Sequence, residues 1–399
     1  MSSSRPRITT AERRDRLGVR HRLAPSARAT TVAEAADAVV ALHATDAATV
    51  FLSVRARLAE TGTATGGGTG VEAVEKAFYE DVSVVRMLSM RNTLFAVSTA
   101  LAPCVASSTA RAIAAKERRT LLAHLREDGQ GLDAAWLAEA EAATLAALDA
   151  RGPSTGAQIS AAVPALRQKI TVSPGKKYET VQGVATRVIR LLAADGLIRR
   201  DRPRGSWTSS QFRWTHSRPW PALPAPEART ALALHWLRAY GPATEADLKW
   251  WTGWTLTETR RALAAIGPEE VRLDDGSLAL VAPGDTAPVP APEPWAALLP
   301  GLDPSAMGWA DRGFHLDPAH RAALFDYAGN IGPTVWWNGR IIGGWAQRAD
   351  GEIVWRLLGD AGAEAERAVT TEAARLARWI GDARVTPRFR TPLERELAV

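Results

Sequence analysis

The chain has 399 residues, of which 46% are hydrophobic and 23% charged, and its net charge is +6. This composition excludes a predominantly disordered chain, and the length allows two to four domains. No apolar run approaches the ~20 residues of a membrane span, and no apolar stretch follows the N-terminal charges, so we expect a cytoplasmic protein. The single cysteine, Cys104, excludes an internal disulfide and a multi-cysteine metal site, and we predict no metal and no cofactor.

Residues 1–30 are predicted to form a basic N-terminal arm. They contain eight arginines against Glu12 and Asp15, a local charge of +6. Clustered positive charge of this kind indicates binding to nucleic acid or to another anionic surface. A solvated face in a chain whose basic residues are mostly arginine explains the cluster equally well.

Residues 31–130 are predicted to form a helical, winged-helix-like domain. Thr31–Leu42 and Ala47–Leu58 are Ala-rich and amphipathic, which is typical of helices. The Gly- and Thr-rich stretch at 61–70 predicts a loop, and it lacks the Lys-Ser/Thr pair of a phosphate-binding loop. The β-rich Ser83–Val97 segment predicts strands that complete this domain.

A weak internal repeat predicts two further winged-helix domains, at 131–218 and 219–282. Leu148–Ile159 and Leu237–Leu248 share the frame Leu-x-Ala-x-Gly-Pro-x-Thr-x-Ala-polar-aliphatic. In this frame Gly ends one helix, Pro cannot continue it, and Thr caps the next. Two helices joined in this way are the signature of a helix-turn-helix unit.

A predicted recognition helix and a wing follow the first copy of the frame. The aliphatic residues of Glu179–Ala194 fall on one helical face, and a basic loop joins the two predicted strands that come next. Residues 151–218 contain 13 basic and three acidic side chains, a local charge of +10. A solvated helix face is the alternative, but the scarcity of acids weakens it. We therefore predict phosphate contacts from Lys176, Lys177, Arg187, Arg190 and Arg204.

Residues 283–399 are predicted to form a C-terminal β-barrel-like domain with a terminal helix. Val281–Trp295 contains five prolines and is typical of a linker. Thr334–Trp345 has the pattern of a strand–Asn-Gly–strand hairpin, and Glu364–Ile380 that of a helix. The predicted fold class is α+β, with tandem winged helices followed by an antiparallel β-barrel-like domain, either a barrel or a strongly twisted sheet.

Four stretches of the chain resemble a known family, the AlkZ/YcaQ-type winged-helix DNA glycosylases. They are Val40–Leu58 with its His43-Ala-Thr45-Asp46 motif, Arg91-Asn-Thr-Leu-Phe95, Trp236–Gly253 and Leu298–Pro304. Their order is that of the family, so the resemblance spans nearly the whole chain. It implies tandem winged helices, a C-terminal β-barrel and double-stranded, damaged DNA as the partner. It also implies monofunctional removal of N-alkylated bases, including the unhooking of interstrand crosslinks.

The resemblance also implies where the catalytic motif lies. Characterised members carry Gln-x-Gln or Gln-x-Asp, and His43 and Thr45 fall on the two polar positions of that motif. An N7-alkylguanine leaves without a strong acid, so the enzyme has to position a water and stabilise an oxocarbenium-like sugar. We predict that His43, with a pKa near neutrality, accepts the proton of the water, that Thr45 orients it and that Asp46 stabilises the cation.

Each of these roles has an alternative. Asp46 precedes an Ala-rich helix and is well placed to cap it, and Thr45 completes the same turn. His43 near a helix end is also typical of a dipole-stabilised surface residue. Arg91 is predicted either to contact DNA beside the active site or to pair with a buried carboxylate.

Two functions from different classes remain. The first is a DNA glycosylase for N7-substituted purines or interstrand crosslinks. The second is a non-catalytic winged-helix protein, either a transcriptional regulator or a damage binder. The +10 segment disfavours a purely structural module. In both cases we expect a monomer that binds double-stranded DNA, associates with the nucleoid and contacts no membrane.

Overall fold

A computed structural model of the chain describes residues 5–59, 70–127 and 131–399. The loop predicted at 61–70 lies outside these residues except for Gly70. The described residues combine helices with small antiparallel sheets, which confirms the α+β class. None of the described helices is long and apolar enough to cross a membrane.

The N-terminal third packs helices around a three-stranded sheet. Its elements are α1 (Thr10–Arg20), α2 (Val32–Asp37), β1 (Leu42–His43), α3 (Ala47–Arg55), α4 (Val71–Tyr79), β2 (Val84–Ser89), β3 (Thr93–Ser98), α5 (Ala102–Val105) and α6 (Arg111–Glu127). Strand β3 lies between β1 and β2. The helix predicted over Thr31–Leu42 ends early, because Val40 adopts a left-handed φ of 63° and turns the chain into β1. This turn brings His43 into the sheet.

The described part of the 1–30 segment packs against the C-terminal half of the chain. Arg5 forms an ion pair with Glu270 at 2.7 Å. Arg16 and Arg20 of α1 both pair with Asp285, at 3.1 and 2.6 Å. The protein therefore compensates the charge of these arginines internally.

The first copy of the repeated frame lies in a unit of three helices and two small sheets. Its elements are α7 (Ala134–Arg151), β4 (Ser154–Thr155), α8 (Gly156–Ala162), β5 (Lys169–Val172), β6 (Thr180–Gly183), α9 (Ala185–Ala194), β7 (Ile198–Pro203) and β8 (Phe212–His216). The sheets are β4-β8-β7 and β5-β6. The helix predicted over Glu179–Ala194 is wrong in its first part, because residues 180–183 pair with β5. Gly183, a weak helix former, is the last residue of that strand, and α9 begins two residues later.

The second copy lies in a similar unit. Its elements are α10 (Ala225–Tyr240), α11 (Glu245–Thr252), α12 (Leu256–Ile266), β9 (Glu269–Arg272) and β10 (Leu278–Val281). The predicted Thr caps are confirmed in both copies. The Thr155 hydroxyl accepts a hydrogen bond from the Gln158 amide, and the Thr244 hydroxyl accepts one from the Asp247 amide.

The C-terminal region is an open antiparallel sheet covered by a long helix. Its elements are β11 (Ala296–Leu299), α13 (Pro304–Met307), α14 (Arg321–Leu324), β12 (Thr334–Trp337), β13 (Arg340–Gln347), β14 (Ile353–Leu357), α15 (Gly362–Ile380) and α16 (Pro392–Leu397). The strand order is β11-β12-β13-β14, so β11 and β14 are free edges. Of the two forms predicted for residues 283–399, all of them described, the closed barrel is therefore wrong. Four strands are too few to enclose a core, and α15 packs on the sheet instead.

Candidate active site

A cavity of about 560 Å³ opens between the N-terminal sheet, α9, the β7–β8 hairpin and the segment after α15. It brings together three of the predicted site residues, His43, Thr45 and Arg190. These residues come from two regions more than a hundred positions apart. The other predicted site residues lie outside this cavity.

His43 is held in the cavity wall by the sheet. It ends β1 opposite Phe95 of β3, and the two rings meet edge to face with centroids 5.2 Å apart. The side chain is 7% exposed, and its Nδ1 is buried without a hydrogen-bond partner among the described residues. Burial, together with the positive charge of Arg91, lowers the pKa of His43 from 6.5 to about 3. The imidazole is therefore neutral at physiological pH, and the prediction that it titrates near neutrality is wrong.

Thr45 and Asp46 follow His43 and point to different surroundings. Thr45 is half-buried and lines the cavity. Asp46 caps α3, since its Oδ1 accepts from the Ala48 amide at 3.1 Å and its Oδ2 from the Arg388 amide at 2.9 Å. Both carboxylate oxygens are thus engaged with backbone groups, as the capping alternative describes.

Arg91 lies behind His43 in the connection between β2 and β3. It adopts a left-handed φ of 54°, and its guanidinium lies 4.3 Å from the ring centroid of Trp250 in α11. Gly253 at the end of α11 makes room for it, because a Cβ there would stand 3.1 Å from the Arg91 Cγ. Arg91 thus stacks on an aromatic ring, and no described carboxylate forms an ion pair with it.

The predicted phosphate contacts are spread over several surfaces. Arg190 is exposed at the cavity rim, where its Nη2 donates to Asn92 Oδ1 at 2.7 Å. The Nη1 of Arg187 lies 2.7 Å from the Nδ1 of His124 on α6. The remaining three are exposed in hairpin turns, Lys176 and Lys177 between β5 and β6, and Arg204 between β7 and β8.

Four arginines in the cavity wall were missed by the sequence-based predictions. Arg199 and Arg200 belong to the +10 segment, so its charge was their only signal. Arg86 lies in β2, in a region rich in acids, and Arg388 lies beyond α15. Nothing in the sequence indicates that these segments meet.

A buried ion pair anchors the helix that follows the His43-x-Thr45 motif. Arg57, just beyond α3, contacts both carboxylate oxygens of Asp303 at 2.9 and 2.7 Å, and both side chains are 0% exposed. Asp303 also accepts from the Ser53 hydroxyl at 2.7 Å and from the Ser305 amide at 2.9 Å. Asp303 lies in the Leu298–Pro304 stretch, but no sequence signal indicated its partner.

No group of three or more His, Cys, Asp or Glu side chains is placed to hold a metal ion in residues 5–59, 70–127 and 131–399. Cys104 is buried, and burial raises the pKa of its thiol to about 11, so it is not a thiolate at neutral pH. The chemistry available in the cavity is that of a neutral imidazole, hydroxyl groups and guanidinium groups.

Comparison with known proteins gives the family of the chain. The family described as DNA glycosylase AlkZ-like matches residues 7–379. An interstrand DNA cross-link repair glycosylase of Streptomyces sahachiroi is 32% identical over 178 residues, which are 43% of this chain and 48% of that protein. The chain thus spans about half the length of that relative.

A solved structure supports the match at the level of the fold. It is the DNA glycosylase AlkZ of Streptomyces sahachiroi, with a TM-score of 0.67 and 21% sequence identity. The superposition covers 97% of this chain and 100% of that one. Together with a family match over residues 7–379, this establishes that the chain belongs to the DNA glycosylase AlkZ-like family.

Proposed function

We propose that the protein is a monofunctional DNA glycosylase that hydrolyses the N-glycosidic bond of N7-alkylated purines and of interstrand crosslinks in duplex DNA. The observation that carries this proposal is that His43 and Thr45, which the resemblance places at the positions of the family's catalytic pair, line a large arginine-rich cavity. The name of the Streptomyces relative supports crosslinks as one substrate class.

The DNA-binding surface of this proposal consists of two winged-helix units. Each copy of the repeated frame is followed by a helix and a β-hairpin, which is the order of a winged helix. In the first unit Lys176, Lys177 and Arg204 extend from hairpin turns, where they are available to phosphates. Arg190 connects this surface with the cavity.

The cavity residues suit hydrolysis of a bond to a leaving group that is already cationic. Because an N7-alkylated purine departs as a neutral base, the step needs a positioned water rather than a strong acid. The neutral imidazole of His43 accepts a hydrogen bond from that water and takes its proton as the bond to the sugar forms. Thr45 lies two residues away in the same wall and orients the water.

The test is excision from a defined duplex. The protein is incubated with duplex DNA containing one N7-methylguanine, or a nitrogen-mustard crosslink, and the strands are treated with alkali to reveal abasic sites. We expect strand cleavage at the modified guanine. Tight binding without product from any alkylated duplex would instead favour the damage binder.

The pKa of His43 predicts an unusual pH profile. Since its pKa lies at about 3 rather than 6.5, His43 stays neutral from pH 5 to 8, and we expect a flat single-turnover rate over that range. A base of ordinary pKa would lose half of its activity at about pH 6.5. A His216→Asn variant controls for a half-buried histidine outside the cavity. If the rates of the wild type and of the His216→Asn variant both fell by half at about pH 6.5, the proposal of a neutral, buried base would be contradicted.

A further inference from the structure

The charge of the cavity wall is strongly one-sided. Five arginines line the cavity, and none of the described residues lining it is Asp or Glu. The five, which together are called the arginine wall, are Arg86, Arg190, Arg199, Arg200 and Arg388. The charge of Arg190 is partly compensated by Glu117, which lies outside the cavity. The Arg190 Nε and the Glu117 Oε2 are 3.7 Å apart. The other four form no ion pair with any residue in the described part of the chain.

Arg86 and Arg200 form the centre of this wall. Their guanidinium carbons lie 4.9 and 4.8 Å from the ring centroid of Phe212, so both stack on one aromatic ring. Arg86 is 7% exposed, and its Nε and Nη2 are buried without a hydrogen-bond partner among the described residues. The Nε of Arg200 and the Nη1 of Arg199 are likewise buried and have no hydrogen-bond partner among the described residues.

Packing cations together in this way is unfavourable unless an anion joins them. Burial and the nearby charges of Arg86 and Arg388 lower the pKa of Arg200 to about 10, so Arg200 remains charged at neutral pH. Leaving buried guanidinium nitrogens of Arg86, Arg199 and Arg200 without an acceptor costs free energy that structures rarely tolerate away from functional sites. The arrangement is typical of a site built for an oxyanion.

The neighbouring Arg202 shows that the chain supplies acids where arginine has only a structural role. It lies two residues beyond Arg200 in β7 and pairs with Glu75 and Glu80 of the N-terminal region. Carboxylate partners are therefore absent only from the arginines of β7 that line the cavity, and not from the strand as a whole.

We propose that the arginine wall is a phosphate subsite, in which Arg200 and Arg388 bind a backbone phosphate of the damaged strand next to the lesion. Arg86 is a positioning residue beneath Phe212 that holds Arg200 in place. This proposal rests on the proposed function and specifies which group of the DNA substrate the arginines contact. A phosphodiester in this place fixes the sugar in front of His43, and it compensates a wall that would otherwise repel a cationic base.

The test replaces single phosphates of the substrate with neutral methylphosphonates. Duplexes with one N7-methylguanine carry the change at the linkage 5′ or 3′ to the lesion, and excision is followed with protein in excess. We expect one of the two linkages to lower the rate by about 10- to 100-fold with the wild type, the scale of a charge-assisted contact. An Arg200→Gln variant should lose as much on the unmodified duplex.

The combination of the two changes identifies the contact. In R200Q the same methylphosphonate should lower the rate by less than about twofold, because the partner is already gone. The control variant R202Q should respond to the methylphosphonate as the wild type does. The subsite would be overturned if the methylphosphonate lowered the rate of R200Q by the same factor as that of the wild type. It would also be overturned if neither linkage affected the wild type.

A second measurement keeps the subsite testable if the wild type excises nothing, which would be a failure of the proposed function alone. Affinity for the duplexes is measured against salt concentration, where each phosphate contact contributes about −0.9 to the log–log slope. R200Q should reduce the slope by about that amount on the all-phosphate duplex and by nothing further on the methylphosphonate duplex. An unchanged slope in R200Q would overturn the subsite.

Discussion

Replacing His43 with alanine is expected to lower the single-turnover rate of N7-methylguanine excision by about 10²-fold, the lower end of the contribution of a positioned base, because a pKa of about 3 makes the imidazole a weak base. The imidazole is fixed by burial against Phe95, and its Nδ1 has no hydrogen-bond partner among the described residues. The ring lines the cavity, and because Nδ1 is enclosed, Nε2 is the nitrogen that is available to a water or a substrate atom. Because His43 is not part of the arginine wall, we expect duplex affinity to change by less than about twofold.

Two further variants separate chemistry from packing at this position. His43→Gln keeps a hydrogen-bond acceptor and places the family's usual residue there, so it should retain more activity than H43A. His216→Ala, on a half-buried histidine of β8 outside the cavity, is the matched control and should keep the full rate. Thermal unfolding of each variant shows whether the fold is retained. A folded H43A protein with undiminished excision would exclude His43 as the base.

The parts of this fold that sequence could predict are those determined locally. Thr155 and Thr244 cap their helices because the capping box needs only four consecutive residues. The same reasoning failed at Glu179–Ala194, where the aliphatic spacing suits a helix but pairing with β5 decides the structure of the first residues. Local propensity is a weak guide where tertiary pairing competes with it.

The candidate site was only partly predictable for the same physical reason. His43 and Thr45 were found from a motif, but the pKa of His43 depends on burial and on Arg91, which is distant in sequence. The arginine wall joins β2, α9, β7 and the segment after α15, and no spacing in the chain reveals that these meet. Regional charge indicated only the contribution of residues 151–218.

Replacing Asp303 with alanine is expected to destabilise the protein by about 3–5 kcal/mol, since it leaves the Arg57 guanidinium charged, 0% exposed and without its carboxylate. Burial opposes ionisation of Asp303, but Arg57 and the hydrogen bonds from Ser53 and Ser305 outweigh it, so its pKa lies below the ordinary value. The stabilisation is therefore complete above the unfolded-state pKa of about 4 and is lost as pH falls through the folded-state pKa. Denaturant unfolding at pH 7 measures the loss.

Two comparisons show whether the effect belongs to the buried charge. Asp81→Ala breaks the exposed pair with Lys76, at 50% and 61% side-chain exposure, and should cost less than about 1 kcal/mol. The double change Arg57→Met with Asp303→Leu removes both charges together and should destabilise less than D303A alone, because no buried ion is left unpaired. Equal losses in D303A and the double variant would mean that packing, rather than the unpaired guanidinium, makes this junction between α3 and the C-terminal region stable.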